Sequence, residues 1–372
     1  MLTVLSVIGT RPEAIKMAPV IRALEARADR VRSVVCVTGQ HREMLDQVLG
    51  IFAIHPDVDL DLMAPDQSLA ELTAALCSAL DPIVVEARPD WVLAQGDTTT
   101  VLVASLIAFY RRIRFGHIEA GLRTGNRLQP FPEEMNRRIA DMVADLHFAP
   151  TARCRQALLA EGAPEECIHV TGNTVIDALL AVVAQPYDWS EGPLAGLPPA
   201  ERLVLVTAHR RESFGAPLRE ICLAIRELAS AFADGEVRLV YPVHLNPNVR
   251  RPAYELLSDL ANVSLIEPLG YRDMAHLMRR ASLILTDSGG IQEEAPTFGV
   301  PVLVMREATE RPEGVEAGVV RLVGTERERI VSEALRLLRD PAAHAAMATC
   351  VNPYGDGRAA DRIATILLEE TA

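Results

Sequence analysis

The sequence predicts an α/β protein built from two doubly wound, Rossmann-like domains that face each other across a cleft. Three observations carry this reading. Short aliphatic and β-branched runs alternate with amphipathic helical stretches from one end of the chain to the other. These runs are apolar throughout, the pattern of strands in parallel sheets covered on both faces. The length, 372 residues, exceeds one ordinary core and suits two domains of similar size.

Taken in order, TVLSVI (3–8) opens the chain as a strand and leads into a helix over 13–28. VRSVVCV (31–37) follows, then a helix over 41–52 and another over 69–86. WVLAQ (91–95) feeds a helix over 99–111, and FGHIEA (115–120), LHFAP (146–150) and IHVTG (168–172) complete the first half. The second half repeats the scheme with RLVLVTA (202–208), VRLVYPV (237–243), VSLIEP (263–268), LILTD (283–287), PVLVM (301–305) and VVRLV (319–323). Between them, 185–200 (QPYDWSEGPLAGLPPA) is rich in Pro and Gly without apolar periodicity, and is the linker candidate. The expected domains are 1–185 and 186–355, with a final helix in 356–372 packing back on the first. Ligands of such sheets bind beyond the carboxyl ends of the strands, which places the site in the cleft.

Composition narrows the function. Hydrophobic residues make up 49% and charged residues 23%, the balance of a soluble globular protein. A net charge of -13 argues against a nucleic-acid partner, which needs a broad basic surface. No apolar stretch reaches membrane-spanning length, and MLTVLSVIGTRPEA reads as a first strand, not a signal peptide. Six scattered cysteines (36, 77, 154, 167, 222 and 350) have no zinc-like spacing and suggest reduced thiols in a cytoplasmic protein, with no metal. There is no G-x-G-x-x-G after a strand, no P-loop and no G-x-S-x-G elbow, so no nucleotide cofactor cradle is legible.

Polar motifs sit instead at the predicted strand ends. The first strand runs into Gly9-Thr10-Arg11-Pro12-Glu13 with Lys16 one turn on, placing cations beside a helix N-terminus suited to phosphate oxygens. WVLAQ ends in Gly96-Asp97-Thr98-Thr99-Thr100, where Asp97 can also serve simply as a helix cap. FGHIEA delivers His117 and Glu119, and a carboxylate at the end of an apolar strand is costly to bury without a task or a partner. Glu133 and Arg137 follow in PEEMNRR, four apart, the spacing of an ordinary helix-surface pair. Asp97, Glu119 and Glu133 can converge on one cleft, where acids in different environments run both halves of a proton transfer. The second half supplies His209-Arg210-Arg211 after one strand and Asp287-Ser288-Gly289-Gly290 after another. There, backbone N–H groups can approach a diphosphate, and Glu294 lies within reach of ribose hydroxyls. Arg311 in TERPE is a further candidate for the cleft.

These residues carry a family resemblance. GTRPEAIKMAP, QHREMLDQV, GDTTT, GHIEAGLRTG, PEEMNRR, TGNTVIDALL, TAHRRESFG, YPVHLNPNVR, LTDSGGIQEEAP, ERPEG and NPYGDGRA resemble, in order and over nearly the whole chain, the non-hydrolysing bacterial UDP-N-acetylglucosamine 2-epimerases. The resemblance implies the GT-B architecture shared with many glycosyltransferases, and no added cofactor. It implies acid/base roles for Asp97, Glu119 and Glu133, a supporting Arg137, and Arg11, Lys16, His209 and Arg311 around the diphosphate and sugar, with His209 counted among the catalytic groups. Ser288, Gly289, Gly290 and Glu294 would hold UDP, and Met274 would stand where some relatives place an aromatic residue near uracil. Gln40-His41 matches a segment of a regulatory site, and Gln95 replaces a histidine found in many relatives. The expected partners are UDP-N-acetylglucosamine, UDP-N-acetylmannosamine and a second copy of the chain, as a homodimer.

The chemistry fits such residues. The C2 proton of the sugar is not beside a carbonyl, so its direct removal leaves an unstabilised carbanion. Expelling UDP while a base takes that proton gives 2-acetamidoglucal, and re-addition from the other face inverts C2. This requires two proton-transfer groups and a cationic clamp on the departing diphosphate. A GT-B glycosyltransferase, or an epimerase of a related UDP-sugar such as a diacetamido uronate, are the alternatives.

Overall fold

The computed structural model describes residues 1–39, 42–62, 64, 66–198, 200–232 and 235–371, with 42–44 by backbone alone. It divides into two compact units, Met1–Ala181 with Tyr354–Ala372, and Val182–Pro353.

The first unit is a seven-stranded parallel sheet of β1 (Leu2–Ile8), β2 (Val31–Val37), β3 (Val58–Asp59), β4 (Trp91–Gln95), β5 (Arg114–Ile118), β6 (Leu146–Ala149) and β7 (Ile168–Val170). Its order, β3-β2-β1-β4-β5-β6-β7, reverses between β1 and β4, the switch point where doubly wound sheets open a crevice. The second unit has six parallel strands, β8 (Arg202–Thr207), β9 (Val237–Pro242), β10 (Val263–Ile266), β11 (Leu283–Thr286), β12 (Val302–Val304) and β13 (Val320–Leu322). Their order, β10-β9-β8-β11-β12-β13, reverses between β8 and β11.

The apolar runs form the strands because both of their faces are covered. Leu5, Val7, Val92, Ala94 and Phe115 pack against Leu76, Leu80, Val101 and Ile107 of the first unit's helices. Val204, Val206, Leu239 and Leu285 meet Ile221, Ile225, Ile330 and Leu337 in the second. At roughly 25 cal/mol per Å² of apolar surface removed from water, these two cores hold the units together.

The stretch expected to be a linker is a packed strap. Arg272, Arg279 and Arg280 donate to the carbonyls of Pro186, Val183 and Ala200, at 2.5, 3.0 and 3.1 Å. Tyr187 donates to Asp273 at 2.8 Å and stacks on His276 with ring centroids 4.3 Å apart. The second unit therefore starts at Val182 rather than 186. Single anchors such as Tyr187 and the buried Leu194 do the holding, and they leave no periodic trace in the sequence.

Tyr354 likewise returns the chain to the first unit, its carbonyl accepting from the Asn173 N–H at 2.7 Å. The helix Ala359–Glu369 then docks there, its first N–H groups bonded to the buried Asp177 carboxylate at 3.2 and 2.9 Å. All six cysteines are free, and burial pushes the Cys36 and Cys222 thiols up to about 12, which keeps them inert. Among the described residues, no helix is long and apolar enough to cross a membrane.

Candidate active site

The site in the first unit is built at the carboxyl ends of β1, β4 and β5. After β1 the chain turns at once into the helix Arg11–Glu25, with Pro12 in its first turn and a capping box between Thr10 and Glu13. Lys16, one turn along, reaches the loop after β5, where its Nζ lies 2.5 Å from Glu119 Oε1. Glu119 is buried and adopts the left-handed conformation at φ 67°, which strains any residue with a Cβ. Its carboxylate is also held by Asn173 Nδ2 at 3.1 Å and by Gln95 Nε2. Gln95, the last residue of β4, is thus a direct partner of Glu119.

Asp97 belongs to the loop after β4. It is not the cap of the next helix: Thr98 takes that place, and Asp97 is left free to pair with Arg137 Nη2 at 2.8 Å. Arg137 therefore does not pair with the Glu133 carboxylate as the i,i+4 spacing suggests. It reaches Glu133 only through that residue's carbonyl, at 3.4 Å. Asn136 Nδ2 fixes the Asp97 carbonyl at 3.0 Å. Glu133 opens the helix Glu133–Val143, and its Oε2 is enclosed without a hydrogen-bond partner. Lys16 thus holds Glu119, and Arg137 holds Asp97.

A further network beneath these loops escaped the sequence reading. His117 on β5 is fully buried, with Nδ1 2.6 Å from Asp141 Oδ1 and Nε2 donating to the Gly96 carbonyl at 2.7 Å. Asp141 also accepts from the Gly121 N–H at 3.2 Å and from Arg123 Nη2 at 2.8 Å. Burial alone would lower the His117 pKa, but the Asp141 carboxylate outweighs it and the net direction is up. Gly96 and Gly121, at φ 88° and 87°, bracket Asp97 and Glu119 along the two loops. Asp141 lies in the last turn of its helix and 24 residues from His117, so no local pattern announces the pair.

In the second unit, His209 stands two residues past the end of β8 and Asp287 one past the end of β11. The buried Asp287 accepts from the His209 and Arg210 N–H groups at 2.7 and 2.8 Å, tying the two switch-point loops together. The His209 ring lies parallel to His244 with centroids 5.6 Å apart, and burial above all lowers its pKa. Ser288 precedes the helix Gly289–Glu294, and a side chain built on Gly290 would meet nothing within 4 Å. Glu294 is buried at the far end of that helix. Arg311 is paired through Nε with the buried Glu293. Met274 lies half-buried on the helix Tyr271–Arg280, and Arg11 is half-buried at its helix start. Gln40 and His41 lie outside the described residues. Among the described residues no cluster of His, Cys, Asp or Glu is placed to hold a metal ion.

The UDP-N-acetylglucosamine 2-epimerase family model matches residues 22–368. The chain is 54% identical to the UDP-N-acetylglucosamine 2-epimerase of Escherichia coli K12, over 97% of this chain and 96% of that one. A solved structure from Listeria monocytogenes, 47% identical, superposes with a TM-score of 0.94, covering 100% and 96% of the two chains. The Neisseria meningitidis UDP-GlcNAc 2-epimerase, solved with UDP-GlcNAc bound, is 48% identical with a TM-score of 0.88, over 99% and 100%. The fold is the GT-B type that such enzymes share with glycosyltransferases. The matching family model, the identity over nearly the whole length of both chains and the shared fold agree: this chain belongs to the UDP-N-acetylglucosamine 2-epimerase family.

Proposed function

We propose that this chain inverts C2 of UDP-N-acetylglucosamine reversibly, giving UDP-N-acetylmannosamine through elimination of UDP, 2-acetamidoglucal and re-addition. The product would supply surface polysaccharide synthesis in the cytoplasm. The observation that carries the mechanism is that Asp97 and Glu119 stand just past adjacent strand ends, two and one residues after the register partners Gln95 and Ile118, with Glu133 opening the helix that follows. A single proton-transfer site needs no such trio, whereas removal and return of a proton on opposite faces needs two acids. In this reading Asp97, Glu119 and Glu133 share those two steps. His209, Arg11, Lys16 and Arg311 balance the charge of the departing diphosphate, and Arg137 holds Asp97. Ser288, Gly289, Gly290, Glu294 and Met274 take the nucleotide, and Gln40 and His41 contribute to regulation.

Incubation of the pure protein with UDP-N-acetylglucosamine in D₂O, followed by NMR, tests this. Deuterium at C2 of both epimers without added cofactor is the expected result. Sugar transfer to an acceptor with the C2 proton retained would make the chain a glycosyltransferase, and unchanged substrate would point to another UDP-sugar.

A homodimer is also proposed. The helices Leu69–Ala87, Thr99–Arg111 and Glu133–Val143 pack side by side. Near their carboxyl ends they leave Val85, Phe109, Tyr110 and Met142 between 49% and 83% exposed. Large apolar side chains left exposed along one helix layer support an association surface there. The double substitution Phe109→Glu, Tyr110→Glu is expected to shift the mass measured by light scattering from two copies to one; an unshifted dimer would place the interface elsewhere.

A further inference from the structure

We propose that Glu13 is a positioning residue of the reaction, its buried carboxyl clamping the loop after β1 against the loop after β4 and so setting where Asp97 stands. The inference rests on the reading above in which Asp97 takes part in proton transfer. Glu13 looks like an ordinary capping-box glutamate, yet it is only 3% exposed. Its Oε2 accepts from the Gly9 and Thr10 N–H groups at 2.5 and 3.0 Å, which a cap explains. Its Oε1 is enclosed and accepts nothing, which a cap does not explain.

The surroundings give Oε1 a role. Gly9 is wedged between two loops: a Cβ there would lie 2.3 Å from Thr100 Oγ1 and 3.1 Å from Glu13 Oε2. The Thr98 hydroxyl and the Asp97 carboxylate, both in the loop after β4, act on the Glu13 carboxyl. Lys16, a turn along the same helix, is engaged with Glu119, and Arg137 with Asp97. A carboxylate at Glu13 would carry its charge into that enclosure beside the negative charge of Asp97. A neutral carboxyl sheds that repulsion and the cost of burying a charge, and keeps the Thr98 hydroxyl beside it across the two loops, which completes the clamp. Burial raises the Glu13 pKa to about 7, opposed by the Thr98, Gly9 and Thr10 bonds and reinforced by Asp97.

The sign follows. The folded pKa lies above the unfolded value of 4.5, so the stability that Glu13 contributes is complete below 4.5 and is lost as pH rises through about 7. The clamp loosens over the same range, and with it the placement of Asp97.

The test compares the full-length chain with Glu13→Gln and Glu13→Ala. Gln keeps an oxygen for Gly9 and Thr10 and cannot ionise. It is expected to hold kcat within about 3-fold at pH 6.5 and to remove the fall in Tm that the parent shows between pH 5 and 8. Ala is expected to lower kcat by roughly 10- to 100-fold, with KM within a few-fold, the pattern of a misplaced but intact catalytic group. An Ala variant with kcat within about 2-fold of the parent would overturn the proposal. So would a Gln variant whose Tm follows pH as the parent's does, a measurement that stands even if the Ala variant does not fold. Absence of C2 deuteration by the parent itself would count against the function proposed above, and the Tm comparison would still decide whether Glu13 acts as a neutral clamp.

Discussion

Glu119→Gln is expected to lower kcat by roughly 10²- to 10⁴-fold, the range for removing a positioned proton-transfer group, with KM changed far less. The geometry explains why an isosteric change is so costly. The carboxylate accepts from Lys16, Gln95 and Asn173, and an amide must turn an N–H₂ toward at least one of these donors. The backbone at Glu119 is held at φ 67° by the β5–β6 ladder, its N–H bonded to the Phe148 carbonyl at 3.0 Å, so the loop has little freedom to relax. Steady-state rates and C2 deuterium incorporation should fall together, because proton removal and return share the site. A variant within about fivefold of the parent in both would remove Glu119 from the chemistry and leave it a structural partner of Lys16.

Asp97 and Glu119 stood out as candidates in the sequence because each stands at the carboxyl end of an apolar strand, and Glu133 as one end of an i,i+4 pair with Arg137. Their partners were not. Lys16 and Glu119 are 103 residues apart, and Arg137 and Asp97 are 40, so only the sheet order brings them together. Arg137 has a nearer acid in Glu133, and local spacing favours the wrong pair. Asp97 reads as a cap until the structure shows Thr98 in that position. Most strands were legible for one physical reason, two-sided burial, and the one that was missed fits it. β3 is two residues long at the sheet edge, and both of its residues are partly exposed, so no apolar run marks it. Glu13 and Asp141 share a different obscurity. Each sits on an amphipathic helix where a charged residue is ordinary, and only burial distinguishes them.

Asp141→Ala is expected to give the largest loss of stability, about 3–5 kcal/mol, the cost of leaving a buried ion without its partner. Asp141 faces His117, Arg123 and the Gly121 N–H at once, so its removal strands two cationic groups and a backbone donor. For a unit of this size that corresponds to a Tm lower by roughly 6–20 °C, read by calorimetry. The effect has a pH signature. Burial opposes ionisation of Asp141, but His117 and Arg123 prevail and hold its pKa below the unfolded 3.8; the pair's stabilisation is therefore present above 3.8 and lost as pH falls through the lower, folded value. The His117 pKa is raised above 6.5, so its share is complete below 6.5 and is lost as pH rises through the folded value. The Tm difference between parent and variant should accordingly be widest from about pH 4 to 6.5 and shrink on both sides. A difference independent of pH would mean that Asp141 acts by packing alone. The same substitution should also lower kcat, because Gly121 loses its bond to Asp141, and Gly96 is left held by a histidine without its carboxylate. The loops that carry Glu119 and Asp97 hang from those two glycines, so the buried ion pair that stabilises the first unit also sets the positions of its acids.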